Sequence, residues 1–98
     1  MRRDTIIQII FDYVTAYRWG TFSFSTAAAE YLAEDVADRI LRRTDDADEQ
    51  VKIIYQATQN IGPVISALRS RYGDSTLSEQ RMIEAKSVGA FCGVFPWC

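Results

Sequence analysis

The sequence predicts an all-α fold: a compact four-helix bundle-like domain with a central first helix, a third helix kinked at a Gly-Pro pair, and an apolar C-terminal tail. Apolar residues recur at helical steps of three and four along most of the chain. Residues that favour helix starts precede these periodic segments, and glycines follow several of them. The 98 residues contain no repeat, low-complexity run or linker, so we expect residues 1–98 to form a single helical domain.

Residues 5–20 hold the greatest aliphatic density and are the segment around which the others are expected to pack. Their polar side chains follow one narrow stripe, and a helix that is apolar nearly all round is typically buried. Thr5 and Gln8 have the spacing of a capping box, and Gly20 suits a C-terminal cap. Either the other helices cover this helix, or a second chain covers part of it. A strand over residues 6–11 is the alternative, but no nearby segment offers it a partner.

Residues 21–26 form a connector of alternating aromatic and polar residues, in which a short extended segment would fit. Ser25 or Thr26 is expected to cap the second helix, which runs from about Ala27 to Arg43. Large aliphatic residues recur there at steps of four, and the alanines between them allow a neighbouring helix to approach closely.

Charged residues on the second helix are arranged to complement the helix dipole. Acidic side chains lie towards its start, and Arg39, Arg42 and Arg43 lie near its end. Two i,i+4 ion pairs are expected on this helix, Asp35 with Arg39 and Asp38 with Arg42. Dipole complementation is the simplest explanation of the arginines, and binding of nucleic acid is the alternative.

The third helix is expected to follow a turn in which Thr44 or Asp45 provides the N-cap. Its apolar residues keep a helical phase through the Gly-Pro pair, since Ile61 and Ile65 are one turn apart on either side of it. A true loop seldom preserves this phase. We therefore predict one long helix that is kinked at Pro63, with two short helices as the alternative.

A fourth, more peripheral helix is predicted by the capping-box spacing of Thr76 and Glu79, and it should extend to about Val88. The tail that follows is strongly apolar, which is unusual for a terminal segment. Its aromatic residues either lie across the core of the chain or insert into another chain. Cys92 and Cys98 in this tail are expected to be free thiols, and a disulfide-closed loop is the alternative.

The composition excludes several chemistries. There is no histidine, which removes the usual general base, the usual nucleophile pairs and the commonest metal ligand, so no metal site and no cofactor are expected. The glycines form no phosphate-cradling loop. A formal net charge of −2 does not indicate a broadly basic nucleic-acid surface. The chain has neither a bilayer-spanning apolar run nor a signal-peptide cleavage site, so we expect a cytoplasmic protein.

Paired carboxylates are the catalytic groups that remain. Glu30, Glu34 and Asp38 lie one turn apart on the second helix, but a solvated face is the simpler explanation of their spacing. Asp12 on the first helix would suit a small carboxylate-dependent enzyme only if it were buried. We therefore expect no enzymatic activity and keep such an enzyme as one alternative.

The function that we predict is non-catalytic protein binding, by a small adaptor, regulator or inhibitor of the kind that phages and mobile elements carry. The apolar surface of the first helix and tail exceeds what one small core needs, which also indicates a homodimer. A nucleic-acid-associated regulator using Arg39, Arg42 and Arg43 is the alternative. The residues predicted to bind the partner are Phe91, Phe95, Trp97, Tyr13, Tyr17 and Trp19.

Overall fold

A computed structural model describes residues 1–16, 21–73 and 75–97, and these residues form four α-helices, two short strands and one 3-10 helix. The chain is 77% helical, which confirms the all-α prediction. The helices are α1 (Arg3–Thr15), α2 (Thr26–Arg43), α3 (Ala47–Tyr72) and α4 (Glu79–Ser87), the strands are β1 (Ser23–Phe24) and β2 (Thr76–Leu77), and the terminal 3-10 helix spans Ala90–Val94.

Helix α1 starts earlier than its predicted capping box. Arg2 precedes the helix without a side-chain cap, while Thr5 and Gln8 lie inside the helix on its exposed surface. The capping box is therefore wrong. The backbone amide of Thr5 instead bonds the Arg2 carbonyl at 3.1 Å, and Asp4 in the first turn complements the positive end of the helix. The predicted cap at Gly20 lies outside the described residues.

Within its described residues, α1 buries a single stripe and is not the central helix that the sequence predicts. Ile6, Ile10 and Val14 are fully buried at steps of four, whereas Ile9 and Tyr13 are exposed. The helix lies at the outside of the fold because its neighbours, mainly α2 and to a smaller extent α3, contact it along this stripe. Although α1 is rich in aliphatic residues, only one side of it is buried, as in an amphipathic helix.

Helix α2 takes the central position and packs against α1, α3 and α4. Helix α1 runs antiparallel to it, because Arg3 at the start of α1 pairs with Asp38 in the second half of α2. The start of α2 is as predicted, with Ser25 Oγ accepting a hydrogen bond from the Ala28 amide at 3.1 Å. Mostly small residues occupy its buried face, which permits close helix packing. The fully buried ones are Ala28, Ala29, Leu32, Ala33, Val36, Ala37 and Ile40.

Helix α3 continues through Pro63, as the apolar phase predicted. The proline lies on the exposed side, where the carbonyl that loses its backbone donor can bind water. Asp46, rather than Thr44 or Asp45, caps the helix, and its carboxylate accepts a hydrogen bond from the Glu49 amide at 2.9 Å. The amide of Thr44 still bonds α2, so the turn between α2 and α3 is short and the two helices are antiparallel.

The connector before α2 and the segment before α4 pair as two parallel strands. The paired residues are Ser23–Thr76 and Phe24–Leu77. The backbone amide of Ser25 donates to the Leu77 carbonyl at 2.9 Å and extends this pairing. Because Thr76 lies in β2, the second predicted capping box is also wrong. Ser78 caps α4 instead, with its Oγ accepting from the Arg81 amide at 3.3 Å.

The apolar tail covers one flank of α3. Gly89, in the left-handed conformation at φ 79°, turns the chain from α4 into the terminal 3-10 helix. Phe91, Val94 and Phe95 are buried, and the side-chain amide of Asn60 donates to the Val94 carbonyl at 3.0 Å. The tail therefore belongs to the core of the chain, which is the first of the two placements that its sequence left open.

Cys92 is disulfide-bonded, which corrects the expectation of free thiols. The sequence holds one other cysteine, Cys98, which lies outside the described residues. The 3-10 helix that contains Cys92 is followed by a bend and a turn over residues 95–97. A folded path of this kind keeps residues that are close in sequence within the short Cα–Cα distance that a disulfide requires, whereas an extended tail would separate them.

Candidate functional site

Two pairs of large apolar side chains remain exposed on α1 and α3. On α3, Val51 and Tyr55 are one turn apart and are 54% and 66% exposed. On α1, Ile9 and Tyr13 have the same spacing and are 38% and 36% exposed. We refer to these four residues as the α1/α3 face.

The two halves of the α1/α3 face lie on neighbouring parallel helices. The starts of α1 and α3 meet, because the Met1 ammonium donates to Oε1 of the buried Gln50 at 2.6 Å. Both helices run antiparallel to α2 and hence parallel to each other. On α1, Phe11 flanks the buried stripe on the side of α2, where it lines a cavity with Glu30. The exposed pair of α1 flanks the stripe on the other side, towards α3.

The second candidate site is a pocket of about 370 Å³ between the end of α2, α4 and the tail. Four cationic side chains and one carboxylate line it, so it holds a surplus of positive charge in a chain whose formal net charge is −2. The pocket contains both the arginines at the end of α2, which the sequence analysis linked to nucleic-acid binding, and Trp97, which it linked to protein binding. We call it the cationic pocket, and its lining residues are Asp35, Arg39, Arg42, Arg43, Lys86 and Trp97.

Asp35 orients two of the cations. Its buried carboxylate lies 2.8 Å from Lys86 Nζ through Oδ1 and 3.0 Å from Arg39 Nε through Oδ2. The contact with Lys86 is a hydrogen bond, which raises the pKa of Lys86 and favours its charged form. The contact with Arg39 is ionic, since Oδ2 accepts no hydrogen bond. The spacing along α2 predicted the arginine pair, and only the fold reveals the lysine.

Arg42 and Arg43 are the two cations of the pocket that have no carboxylate at ion-pair distance among the described residues. Asp38, the predicted partner of Arg42, pairs instead with Arg3 Nε at 2.8 Å, because α1 brings that guanidinium across from its start. The hydrogen bond from Arg3 is the main cause that lowers the pKa of Asp38, and the charge of Arg42 contributes less. The predicted Asp38–Arg42 pair is therefore wrong.

Trp97 forms one wall of the cationic pocket. Its ring stacks on Phe95 with 4.7 Å between the ring centroids, and the guanidinium carbon of Arg43 lies 4.9 Å from its centroid. Both groups are therefore in contact with the indole. These contacts hold Arg43 and the tail close to each other.

The residues predicted to bind a partner occupy different environments. Tyr13 is exposed on the α1/α3 face, and Trp97 is 37% exposed at the cationic pocket. Phe91 and Phe95 are buried in the chain's own core, so a partner would reach them only after the tail had moved. The other two predicted residues, Tyr17 and Trp19, lie outside the described residues.

The carboxylates that the enzyme hypothesis requires lie at the surface. Asp12 is exposed and accepts a hydrogen bond from Gln8 Nε2 at 2.7 Å. It therefore lacks the burial that the hypothesis demanded. Glu30 and Glu34 line the cavity of about 310 Å³ beside α1, which is open to solvent. Within residues 1–16, 21–73 and 75–97, no three His, Cys, Asp or Glu side chains come together as metal ligands would.

The sequence analysis did not identify Ile9, Val51, Tyr55 and Lys86 as site residues. Tyr55 does not belong to the apolar residues that recur at steps of three and four along α3. An aromatic residue outside such a pattern is expected to be exposed. Val51 lies at the edge of that pattern, where periodicity alone does not separate buried from exposed residues. Lys86 carries no such signal, because its role depends on the packing of α4 against α2.

Comparison of the chain with protein-family models, with curated proteins and with solved structures gives no match. The roles of the α1/α3 face and the cationic pocket therefore have to be inferred from their own chemistry. In the part of the chain that the structure describes, no helix is both long enough and apolar enough to cross a membrane.

Proposed function

We propose that the protein is a non-catalytic protein-binding module, an adaptor, regulator or inhibitor that occupies a partner surface with its α1/α3 face. The observation that supports this proposal is the exposure of large apolar side chains one turn apart on each of two neighbouring helices, with Tyr55 at 66%. Covering apolar surface is favourable by about 25 cal/mol per Å². Exposed apolar surface is typical of interaction sites when it is contiguous.

The surroundings of the α1/α3 face also support a binding role. Protein interfaces typically combine an apolar and tyrosine-rich centre with a polar rim. Helical spacing places exposed polar residues beside the two apolar pairs. These residues are Thr5, Asp12, Lys52, Gln56 and Gln59.

A second copy of the chain is the partner that we propose first, so that the protein is a homodimer. Two-fold symmetric dimers bring the same patch of each subunit together. Here two parallel helices of one subunit would pack on the same two helices of the other and form a four-helix interface. The centre of the α1/α3 face carries no charge that would repel its own copy.

Light scattering of the purified protein at micromolar concentration, with a reductant present, tests the dimer. We expect the dimer mass for the natural sequence and the monomer mass for Tyr55→Asp, because the new carboxylate would be buried without a partner. Ile83→Asp is the matched control, since Ile83 is an exposed apolar residue on α4 and its replacement should leave the dimer intact. A monomer mass for the natural sequence, or a dimer that survives Tyr55→Asp, would reject the homodimer.

A monomeric result would shift the test to a partner of another sequence. Capture from a lysate would then compare the natural chain with Tyr55→Asp and Ile83→Asp. A protein retained by the natural chain and the control, but lost with Tyr55→Asp, is the result expected of a binding module. Retention of nuclease-sensitive material alone, or of nothing, would contradict the proposed function.

A further inference from the structure

The described residues that line the cationic pocket carry more positive than negative charge. Arg39, Arg42, Arg43 and Lys86 contribute four positive charges to its lining, and Asp35 contributes one negative charge. Asp35 is committed to Arg39 and Lys86, which leaves Arg42 and Arg43 without an ion pair to any described carboxylate. Like charges held together in a partly enclosed space repel one another. A bound anion would relieve this repulsion.

We propose that the cationic pocket binds the phosphate group of a small phosphate monoester. This site is separate from the α1/α3 face and does not depend on the proposed protein-binding function. Guanidinium groups present a planar set of donors that matches the oxygens of phosphate, and the dianionic charge of a monoester suits the surplus charge of the lining. The volume of about 370 Å³ lies at the lower end of the range for ligand cavities, which favours a small ligand.

The cationic groups are partly oriented before any ligand arrives. The carboxylate of Asp35 holds Lys86 Nζ at 2.8 Å and Arg39 Nε at 3.0 Å, and the ring of Trp97 lies beneath the guanidinium of Arg43. Side chains that are already ordered lose less conformational entropy when a ligand binds. Within the described part of the chain, Arg42 has no such carboxylate or ring contact, and we expect its guanidinium to turn towards the phosphate.

The end of α2 carries a partial negative charge that opposes an anion, because helix dipoles place about half an elementary charge at the C-terminus. The surplus of cationic side chains exceeds this opposing charge several-fold. Phe95 and Arg43 both contact the ring of Trp97, which leaves less of that ring available to stack a nucleobase. Single-stranded nucleic acids usually rely on such stacking. The geometry therefore favours the phosphate group itself over a nucleic-acid strand.

Nuclear magnetic resonance titration of the full chain tests the proposal. The probes are inorganic phosphate and glycerol 3-phosphate, with glycerol at the same concentrations and sodium chloride at the same ionic strength as controls. Saturable shifts of the amides around Lys86 and Arg42 are expected with both phosphate probes and with neither control. Response to inorganic phosphate alone would overturn the assignment to a monoester, and absence of a saturable response would overturn the site.

Arg42→Ala is the decisive variant, because the Arg42 side chain forms no ion pair with any carboxylate among the residues that the structure describes. We expect at least about tenfold weaker binding, as for loss of one charge-assisted hydrogen bond, with partial recovery in Arg42→Lys. Arg71→Ala is the matched control at the other end of the fold and should bind as the natural chain does. Equal binding by Arg42→Ala, or an equal loss in Arg71→Ala, would contradict the proposal.

A thymidine oligonucleotide in the same titration separates the phosphate monoester from a nucleic-acid backbone. We expect it to bind no more tightly than glycerol 3-phosphate. Binding of the oligonucleotide alone, with an affinity that falls steeply as salt is added, would overturn the proposal and favour a nucleic-acid surface at these arginines.

Discussion

The two flanks of α3 differ in whether the chain covers them. On one flank the tail lies against the helix: Asn60 bonds the Val94 carbonyl, and a Cβ added at Gly93 would lie 3.4 Å from the side chain of Val64. On the other flank Val51 and Tyr55 remain exposed, with no described segment over them. One amphipathic helix thus serves folding on its covered flank and, in our proposal, recognition on its open flank.

The largest effect is expected from Phe91→Ala on the covered flank. Phe91 is 1% exposed and meets the ring of Tyr31 edge-on at 6.4 Å, so its removal should lower the free energy of unfolding by about 3–5 kcal/mol. Urea denaturation followed by circular dichroism measures this loss. Tyr55→Ala on the open flank should change it by less than about 0.5 kcal/mol when the protein is dilute enough to be monomeric. Similar losses for the two variants would remove the distinction between the flanks.

Reduction of the Cys92 disulfide should loosen the same covered flank. Closing a short loop restricts the unfolded chain, and its opening is expected to cost about 2 kcal/mol of stability. Thermal unfolding with and without dithiothreitol measures the difference. Cys92→Ser should melt at the temperature of the reduced protein and show no response to the reductant. Equal melting temperatures of the oxidised and reduced natural chain would contradict this prediction.

Asn60→Ala should have a smaller effect, confined to the attachment of the tail. Loss of the Asn60 side chain leaves the Val94 carbonyl without this hydrogen bond, which should lower stability by about 1–2 kcal/mol. Amide hydrogen exchange in the terminal 3-10 helix should also be faster in Asn60→Ala, because this hydrogen bond attaches the tail to α3. The exposed neighbour provides the control, and Gln59→Ala should stay within about 0.5 kcal/mol of the natural chain. Unchanged exchange in Asn60→Ala would argue against tethering by this bond.

The smallest effect is expected where a polar contact joins α1 to α2. Arg3 lowers the pKa of Asp38, so the pair stabilises the folded state above the unfolded pKa of Asp38 and loses this contribution as pH falls through the folded pKa. Both side chains are almost half exposed, at 47% and 44%, and solvent screens the pair. A carboxyl titration by nuclear magnetic resonance should show the pKa of Asp38 rising in Arg3→Ala. An unchanged pKa would exclude the hydrogen bond as its main cause.

Helices α2 and α3 could be predicted closely because their apolar phase and their packing agree. The apolar pattern on both sides of Pro63 predicts one continuous helix, and α3 is continuous there. Ser25, one of the two predicted caps, caps α2. The capping boxes failed for a different reason. A box at Thr76 competes with strand pairing to Ser23, which lies 53 residues away and leaves no trace in a local pattern.

The candidate surfaces could be predicted only in part. Spacing along one helix placed Arg39 and Arg42 together, but the approach of Lys86 and Trp97 to them depends on how α4 and the tail fold back on α2. The burial of α1 was overestimated for the same reason. The aliphatic content of a helix sets how much apolar surface it could bury. The helices that pack against it decide how much is buried, and Ile9 remains exposed because no described helix covers it.

The short parallel pairing of β1 with β2 has a consequence for the order of folding. Its strands lie on opposite sides of the α2–α3 helical pair in the sequence, so closing them in the unfolded chain would fix a long loop for very few hydrogen bonds. The helices and the turn between α2 and α3 involve near neighbours and form much faster. We therefore expect this strand pairing to form late in folding, after the helical pair has brought the two strands together.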